Sequence, residues 1–401
     1  MKRNSSQISY GALHFFYWAS NATICSFCSA FLLPMGFSSF EIGLIISLGN
    51  GGAVLLQPLL AEYADNTKKH NVSEILSWIC GVFLILAGLL LVLRGHSLFL
   101  AVFYTMAYIV QVCMLPLLNE LNYRLERAGF SMNYGAARAM GSLGYSLMSS
   151  LAGFAAERYG IITFPALTVL AILLILGILF YLSRILKGHG FPFEKQKEEK
   201  KAENLLAFVK AHQKMAMVSL GGLCFMFCST ITGNYLLQIV SEVGGTAKEM
   251  GFGLSLAAIM EIPVIFFYDR LRGKFSVRQL LCASGIGYII KHLILLAAGN
   301  YQMILFSQAL QIVSFALYLP SSVAYAHENT EEEDSVKGQA LMTTAGTAAG
   351  LLAGLFGGLV IDGLGIDALL VICVVMSVLG SALIFVFTKE NSHEPGRKET
   401  V

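Results

Sequence analysis

Glu120, Arg138, Glu261 and Lys291 lie inside long apolar stretches of the sequence. An ionisable side chain within a membrane helix costs at least a few kcal/mol, so each of these residues marks a candidate functional site. An arginine and a carboxylate together present planar donors and acceptors, which suit a polyhydroxylated solute. We predict that Glu120 and Arg138, on neighbouring antiparallel helices, pair and bind the solute. A purely structural salt bridge is the alternative.

Glu261 and Lys291 point to proton coupling. Glu261 is the only acidic residue deep within an apolar stretch of the second half, and Lys291 lies in the next stretch. A low-dielectric environment favours the neutral carboxylic acid, so such a group can take up a proton and release it when a cation approaches. We predict that Glu261 carries the proton and that Lys291 is its partner. A buried ion pair between these two residues is the alternative.

Other polar residues in the apolar stretches are candidates for lining the same site. Asn21, Asn234 and Gln311 are predicted to contact the solute, with hydrogen bonding between helices as the alternative. Asp65 and Asp269 each precede basic residues at a helix end, so we predict a role in gating or helix capping.

No metal or cofactor site is expected, and the proton is the only coupling species that we predict. The sequence has no nucleotide, haem or metal motif. The eight cysteines all fall in apolar runs, where free cysteine commonly packs as a small apolar residue. The absence of a nucleophile–base or metal constellation also predicts that the protein is not an enzyme.

The stretches that carry these residues are predicted membrane spans. Of the 401 residues, 56% are hydrophobic and 13% are charged, whereas a soluble domain has about 25% charged residues. The apolar runs have the length of about 20 residues that a helical span needs and lack the alternation of a β-barrel. The predicted fold class is therefore an all-α integral membrane protein. Twelve transmembrane helices are expected at 9–35, 40–64, 73–94, 97–123, 135–157, 162–186, 213–240, 247–268, 276–297, 301–326, 337–361 and 366–388.

One long polar segment divides these helices into two groups of six. We expect an N-terminal bundle at 1–186, a cytoplasmic linker at 187–206, a C-terminal bundle at 207–390 and a cytoplasmic tail at 391–401. The two halves resemble each other weakly in sequence. A segment that begins with glycine opens both the fifth and the eleventh helix. Two parallel six-helix repeats are the pattern of the major facilitator fold, in which the solute binds between the halves near the membrane midplane.

The distribution of positive charge predicts the orientation. Basic residues are enriched in cytoplasmic loops of membrane proteins. With both termini inside, 22 of the 27 lysines and arginines face the cytoplasm. Arg94, Arg158 and Lys248 face outside, and Arg138 and Lys291 lie within spans. We therefore expect a multi-pass protein of the cell membrane with both termini cytoplasmic.

Motifs in the first half resemble the lactose permease family of sugar:proton symporters. The end of helix 2 in that family is similar to Gln57-Pro58-Leu59-Leu60 with Asp65 and Lys68-Lys69. Its helix 5 signature is similar to Gly135-Ala136-Ala137-Arg138-Ala139-Met140-Gly141 with Gly144-Tyr145. The resemblance implies that Glu120 and Arg138 bind sugar hydroxyls. It also implies that Tyr145 stacks on the sugar ring, although the family has tryptophan there.

The second half departs further from that family. Lys291 stands where the family has an arginine, and Asn234 stands about where it has an aspartate. Gln311 and Ser314 occupy the positions of the family's histidine and proton-carrying glutamate. The family's proton apparatus is therefore not reproduced.

These expectations combine into one function. We predict a secondary active transporter that imports a sugar, an oligosaccharide or a similar small polar solute with a proton, by alternating access. The alternatives are a nucleoside or aromatic-acid symporter and a drug or metabolite exporter of the same fold. The expected partners are the small-molecule substrate and the lipid bilayer, with no nucleic acid, and the protein is expected to function as a monomer.

Overall fold

The computed structural model describes residues 2–67, 70–188, 205–330 and 335–389, and all regular elements within these ranges are helical. The predicted linker at 187–206 and tail at 391–401 lie largely or wholly outside the described residues. The helices of the first half are α1 (Lys2–Asn21, continued through Ala22–Ser26, Cys28–Leu32 and Leu33–Met35), α2 (Ser39–Asn66), α3 (Val72–Val92), α4 (Leu98–Arg127), α5 (Tyr134–Tyr159) and α6 (Thr163–Gly188).

A short helix, Leu205–Ala211, precedes the second half. The helices of the second half are α7 (Gln213–Asn234 and Leu236–Ser241), α8 (Ala247–Arg272), α9 (Val277–Leu296), α10 (Tyr301–Ala309, Leu310–Ile312 and Phe315–Glu328), α11 (Ser335–Leu364) and α12 (Ile366–Phe387). Each of the twelve predicted segments is thus helical in the described chain.

The length and hydropathy of these helices confirm an all-α membrane fold. Among the described residues, ten helices are long and apolar enough to cross a membrane, and the bent α1 makes eleven. The helix that falls short is α5, which has the length of a span but is rich in glycine, alanine and serine. Small residues lower its hydropathy, and in a membrane they let neighbouring helices approach closely.

Several helices begin where the sequence supplies a capping box. Ser38 precedes α2 and accepts from the backbone N–H of Glu41, whose carboxylate accepts from the backbone N–H of Ser38. Asn71 and Glu74 form the same reciprocal pair at the start of α3. The pattern satisfies two of the N–H groups that a helix start leaves without partners.

The two halves pack against each other through two helix pairs, α5 with α8 and α2 with α11. We call the side of the membrane at which α1 ends and α2 begins the far side, and the opposite side, at which α6 ends, the linker side. A side chain at Gly251 of α8 would overlap the Ser149 carbonyl of α5, and one at Gly358 of α11 would overlap the Ser39 carbonyl of α2. Glycine at these two positions therefore permits the halves to meet on the far side.

Polar contacts reinforce the closure of the far side. The backbone N–H groups of Ser39 and Phe40, at the start of α2, donate to the Asp362 carboxylate of α11 at 3.2 and 2.7 Å. A carboxylate is well placed there because the N-terminus of a helix carries partial positive charge. Lys248 of α8 pairs with Glu157 of α5 at 3.1 Å.

Three helices are interrupted where the halves face each other. Helix α1 bends by 53° at Phe27, directly after the π-helical turn Ala22–Ser26. Residue Tyr235 separates the two parts of α7, and the 3-10 turn Leu310–Ile312 breaks α10. Broken helices in transporters accompany binding sites, because their freed backbone and side chains line a cavity.

Candidate functional site

A cavity of about 290 Å³ lies between the two halves. Helices α1 and α5 line it from the first half, and α7, α8, α9 and α10 line it from the second. Its walls mix polar and aromatic groups: Trp18, Asn21, Ser26, Arg138, Ser142, Tyr145, Met226, Ser229, Thr230, Thr232, Gly233, Leu254, Ala257, Ala258, Glu261, Lys291, Gln308, Gln311 and Phe315. The volume is near the lower end of the range of about 300–1,000 Å³ for small-molecule sites, which fits a small solute.

Arg138 is the cation that the first half presents to this cavity. Its guanidinium lies over the Trp18 indole at 4.3 Å from the ring centroid, and Nη1 donates to Ser142 Oγ at 3.2 Å. A side chain at Gly141 would overlap the indole, so this glycine makes room for the stack. The sequence indicated Arg138 but missed Trp18, because a tryptophan in an apolar run looks like a lipid-facing or packing residue.

The predicted pairing of Glu120 with Arg138 is wrong. Glu120 Oε1 instead accepts from Nε of Arg124 at 2.6 Å, one turn further along α4. The partner on its own helix is nearer, and Arg138 is held against Trp18 on the cavity wall. Glu120 is not among the residues that line the cavity, and its contact with solute stays a prediction.

Glu261, Gln311 and Lys291 form a hydrogen-bonded chain on the opposite wall. Lys291 Nζ donates to Gln311 Oε1 at 2.6 Å, and Gln311 Nε2 donates to Glu261 Oε1 at 3.2 Å. Lys291 is only 2% exposed, and the Gln311 amide links it to the Glu261 carboxylate. Gln311 lies in the broken turn of α10, which turns its side chain between the two charges. The direct ion pair weighed from the sequence is therefore replaced by a bridged one.

The other predicted contact residues divide into two groups. Tyr145 lines the cavity, where its hydroxyl is 2.7 Å from Ser26 Oγ in the π-helical turn of α1, and Asn21 lines it at the start of the same turn. Asn234 is not among the lining residues. Its backbone carbonyl accepts from Ser29 Oγ at 2.8 Å, which joins α7 to α1.

Of the two aspartates predicted to act in gating, Asp269 is not among the residues that line the cavity. Asp269 is exposed near the linker-side end of α8, beside an ion pair in which Arg272 donates to Glu328 of α10 at 2.7 Å. The side chain of Asp65 lies outside the described residues. Asp362 is a carboxylate that joins the two halves on the far side, and sequence reasoning missed it because a charge near a helix end resembles an ordinary surface residue.

Three cysteine and histidine side chains that are distant in the sequence meet inside the second half. The donor atoms of Cys228, His292 and Cys373 lie within 4.8 Å of one another, and all three residues are buried. Cys228 Sγ donates to the Cys373 carbonyl at 3.3 Å, and His292 Nδ1 is 2.8 Å from Ser377 Oγ. This bonding is compatible with a packing role, and the expected absence of a metal stays a prediction.

A cavity between two packed halves of a multi-pass helical protein, closed on one side, is the arrangement expected of a major facilitator transporter. The chain belongs to the MFS_1 like family, whose model matches residues 7–372. The protein is therefore a transporter and not an enzyme, and its partners are a small molecule and the membrane lipid.

Known proteins resemble the chain over nearly its whole length. A maltose permease from Geobacillus stearothermophilus is 25% identical over 357 residues, covering 88% of this chain and 86% of that protein. The uncharacterized transporter YwbF from Bacillus subtilis (strain 168) is 23% identical over 399 residues, covering 96% and 95%. The crystal structure of the nucleoside transporter NupG superposes with a TM-score of 0.75 at 16% identity, covering 96% of this chain and 98% of that one. These likenesses agree with the fold and the family.

Proposed function

We propose that the protein imports a small polar organic solute, a sugar or a molecule of similar size, together with a proton across the cell membrane. The observation that carries this proposal is the cavity that Arg138 faces from one half and Glu261 with Lys291 from the other. A solute that contacts both walls favours movement of one half against the other, which is the basis of alternating access. In this proposal the linker side faces the cytoplasm.

The wall chemistry supports binding of a polar molecule with a ring or another flat face. Arg138 supplies several N–H donors in a fixed plane, and the hydroxyls of Ser142, Ser229 and Thr230 add neutral donors and acceptors. Trp18 provides an aromatic surface on the same wall. Binding sites commonly combine an apolar surface with a few placed polar groups in this way.

Glu261 is the group that we assign to the proton. It lines the cavity together with Arg138 and Lys291 and accepts one hydrogen bond from Gln311. Protonation would remove its charge and change the field that a bound solute meets. Such a change couples proton and solute binding, since the affinity for one then depends on the presence of the other.

The relatives support a sugar only in part. The maltose permease favours a sugar substrate, but at 25% identity it does not define which one. The cavity is small for a long oligosaccharide, so a compact solute fits better. A drug exporter would be expected to have a wall dominated by aromatic residues and methionine, whereas here the polar side chains are more numerous.

Uptake into proteoliposomes tests the proposal. Labelled glucose, maltose, uridine and benzoate would each be offered to vesicles that have an alkaline interior, and to matched vesicles without a pH gradient. We expect at least one compound to accumulate above its external concentration only when the gradient is present. Equilibration without accumulation would contradict proton coupling, and a gradient that drives only efflux would favour the exporter.

A further inference from the structure

We propose that the transported solute is an organic anion with one carboxylate group, held in the excess positive charge of the cavity. The inference rests on the proposed function, because it assumes that the cavity between the halves is the solute site. It goes further by assigning the charge of the solute. A neutral sugar would leave that positive charge uncompensated.

The charges on the cavity wall do not balance. Among the described residues that line it, the charged side chains are the cations Arg138 and Lys291 and the single carboxylate Glu261. With all three ionised, the wall has one positive charge in excess. Protonation of Glu261 would leave two.

Arg138 has no carboxylate within ion-pair distance among the described residues. Its contacts are the Trp18 ring at 4.3 Å and Ser142 Oγ at 3.2 Å, and neither neutralises the guanidinium. Glu120, the acid on the neighbouring helix, is paired with Arg124. The remaining N–H donors of Arg138 are therefore open to a ligand, and a carboxylate matches their planar fork with two parallel hydrogen bonds.

Lys291 is similarly incomplete. Its Nζ donates to Gln311 Oε1, and the same amide uses Nε2 to reach Glu261. Only this orientation of Gln311 satisfies both neighbours, so the amide oxygen faces a donor and the amide nitrogen faces an acceptor. Glu261, the one carboxylate on the described lining, reaches Lys291 only through this amide and forms no ion pair with Arg138, so it does not compensate both cations.

A cation with no counter-ion in a cavity between packed helices favours an anionic ligand. Electrostatic attraction is larger there than in bulk water, and hydroxyl groups supply only partial charges. With Glu261 ionised, the excess of a single charge favours a monoanion, whereas a phosphate monoester carries nearly two charges at neutral pH. The Trp18, Leu254 and Phe315 side chains on the wall favour an organic body over a small inorganic ion.

Trp18 offers a direct probe of binding. The sequence has two tryptophans, and the other, Trp78, is on α3, 50% exposed and outside the cavity lining. In a Trp78→Phe protein the emission would come from Trp18 alone. We would titrate purified protein with the pairs glucuronate and glucose, and benzoate and benzyl alcohol, and separately with inorganic phosphate.

The expected result is a saturable change in Trp18 emission, with at least one carboxylate binding about tenfold or more tightly than its neutral partner. Lys291→Met should reduce that preference, because it removes one of the two cations. The affinity for the carboxylate should fall, whereas the affinity for the neutral compound of the pair should change little. Lys214→Met is the matched control, since this lysine is exposed at the linker-side end of α7 and should leave the preference unchanged.

The proposal would be overturned if neither carboxylate binds, if the neutral partners bind as tightly, or if phosphate binds as tightly as the carboxylates. A preference that survives Lys291→Met unchanged would also count against it.

Uptake measurements separate the two proposals. Accumulation of neutral glucose under a pH gradient would leave the proposed function standing and overturn the charge assignment. Tight carboxylate binding without proton-driven uptake would leave the charge assignment standing and overturn the proposed function.

Discussion

Arg138 and Glu261 are the side chains on which solute binding and proton coupling depend most in this account. They line the same cavity from opposite halves, and each is held by a neutral neighbour, Trp18 for the arginine and Gln311 for the glutamate. A neutral neighbour positions a charge without cancelling it. The charge therefore remains available to a solute or a proton.

Replacing Arg138 with lysine tests whether its shape matters as well as its charge. Lysine keeps the positive charge but loses the planar fork and most of the stack on Trp18. We expect Arg138→Lys to weaken solute binding about tenfold, which corresponds to about 1.4 kcal/mol, and Arg138→Ala to weaken it at least as much. Titration of Trp18 emission in the Trp78→Phe background measures both.

Glu120→Gln is the comparison for that experiment. It also removes a charge from the first half, but Glu120 is paired with Arg124 away from the cavity lining. The pair is only about one-fifth exposed and does not line the cavity, so solute binding should change by less than about threefold. Equal losses in Arg138→Lys and Glu120→Gln would restore Glu120 to the binding site and contradict the geometry described here.

The sequence predicted side-chain types in the cavity better than it predicted partners. Asn21, Arg138, Tyr145, Glu261, Lys291 and Gln311 were found on the wall because a polar group inside a span has few other places to lie. Glu120 was assigned the wrong partner, since the spacing of Arg124 on the same helix competes with a contact across helices. The functional roles of all these residues stay predictions.

At the level of elements, the breaks in α1, α7 and α10 and the glycines of α8 and α11 shape the site. The positions of the helices could be predicted from hydropathy and from the glycine and polar residues that separate the apolar runs. The break in α1 could not, because the π-helical turn Ala22–Ser26 contains no proline or glycine. That turn places both Asn21 and Ser26 on the cavity wall.

Gly358 and Gly350, two glycines of α11, provide a matched test of far-side closure. A Cβ at Gly358 would overlap the Ser39 carbonyl of α2, whereas a Cβ at Gly350 would meet nothing within 4 Å. Overpacking costs about 1–3 kcal/mol, so Gly358→Ala should shift the conformational equilibrium about tenfold or more away from the closed far side. Gly350→Ala should leave the equilibrium unchanged.

Labelling of a cavity cysteine, Thr230→Cys, by an impermeant maleimide applied from the far side would measure this shift. The described native cysteines are buried or partly buried, which keeps the background low. We expect faster labelling in the Gly358→Ala protein than in the Gly350→Ala protein. Equal rates in the two would mean that the contact between α2 and α11 does not control access.

For the whole molecule, import requires a defined orientation in the membrane. The enrichment of lysine and arginine in the loops on the linker side predicts that this side faces the cytoplasm. A cysteine introduced at Lys197 should then react with an impermeant thiol reagent only after the membrane is opened, whereas Gly299→Cys, on the far side between α9 and α10, should react in intact cells. Reaction of the Lys197→Cys protein in intact cells would reverse the orientation and turn the proposed import into export.

Proton-coupled transport through the central cavity is the central claim, and Glu261→Gln tests it most directly. Glutamine approximates the protonated acid and can keep the contact with Gln311, so solute binding and solute-for-solute exchange should survive. Net accumulation driven by a pH gradient should be lost, because the side chain can no longer release a proton. Both fluxes would be measured in the same proteoliposome preparation. Exchange retained with accumulation abolished is the predicted result, and accumulation that persists in the Glu261→Gln protein would contradict the account.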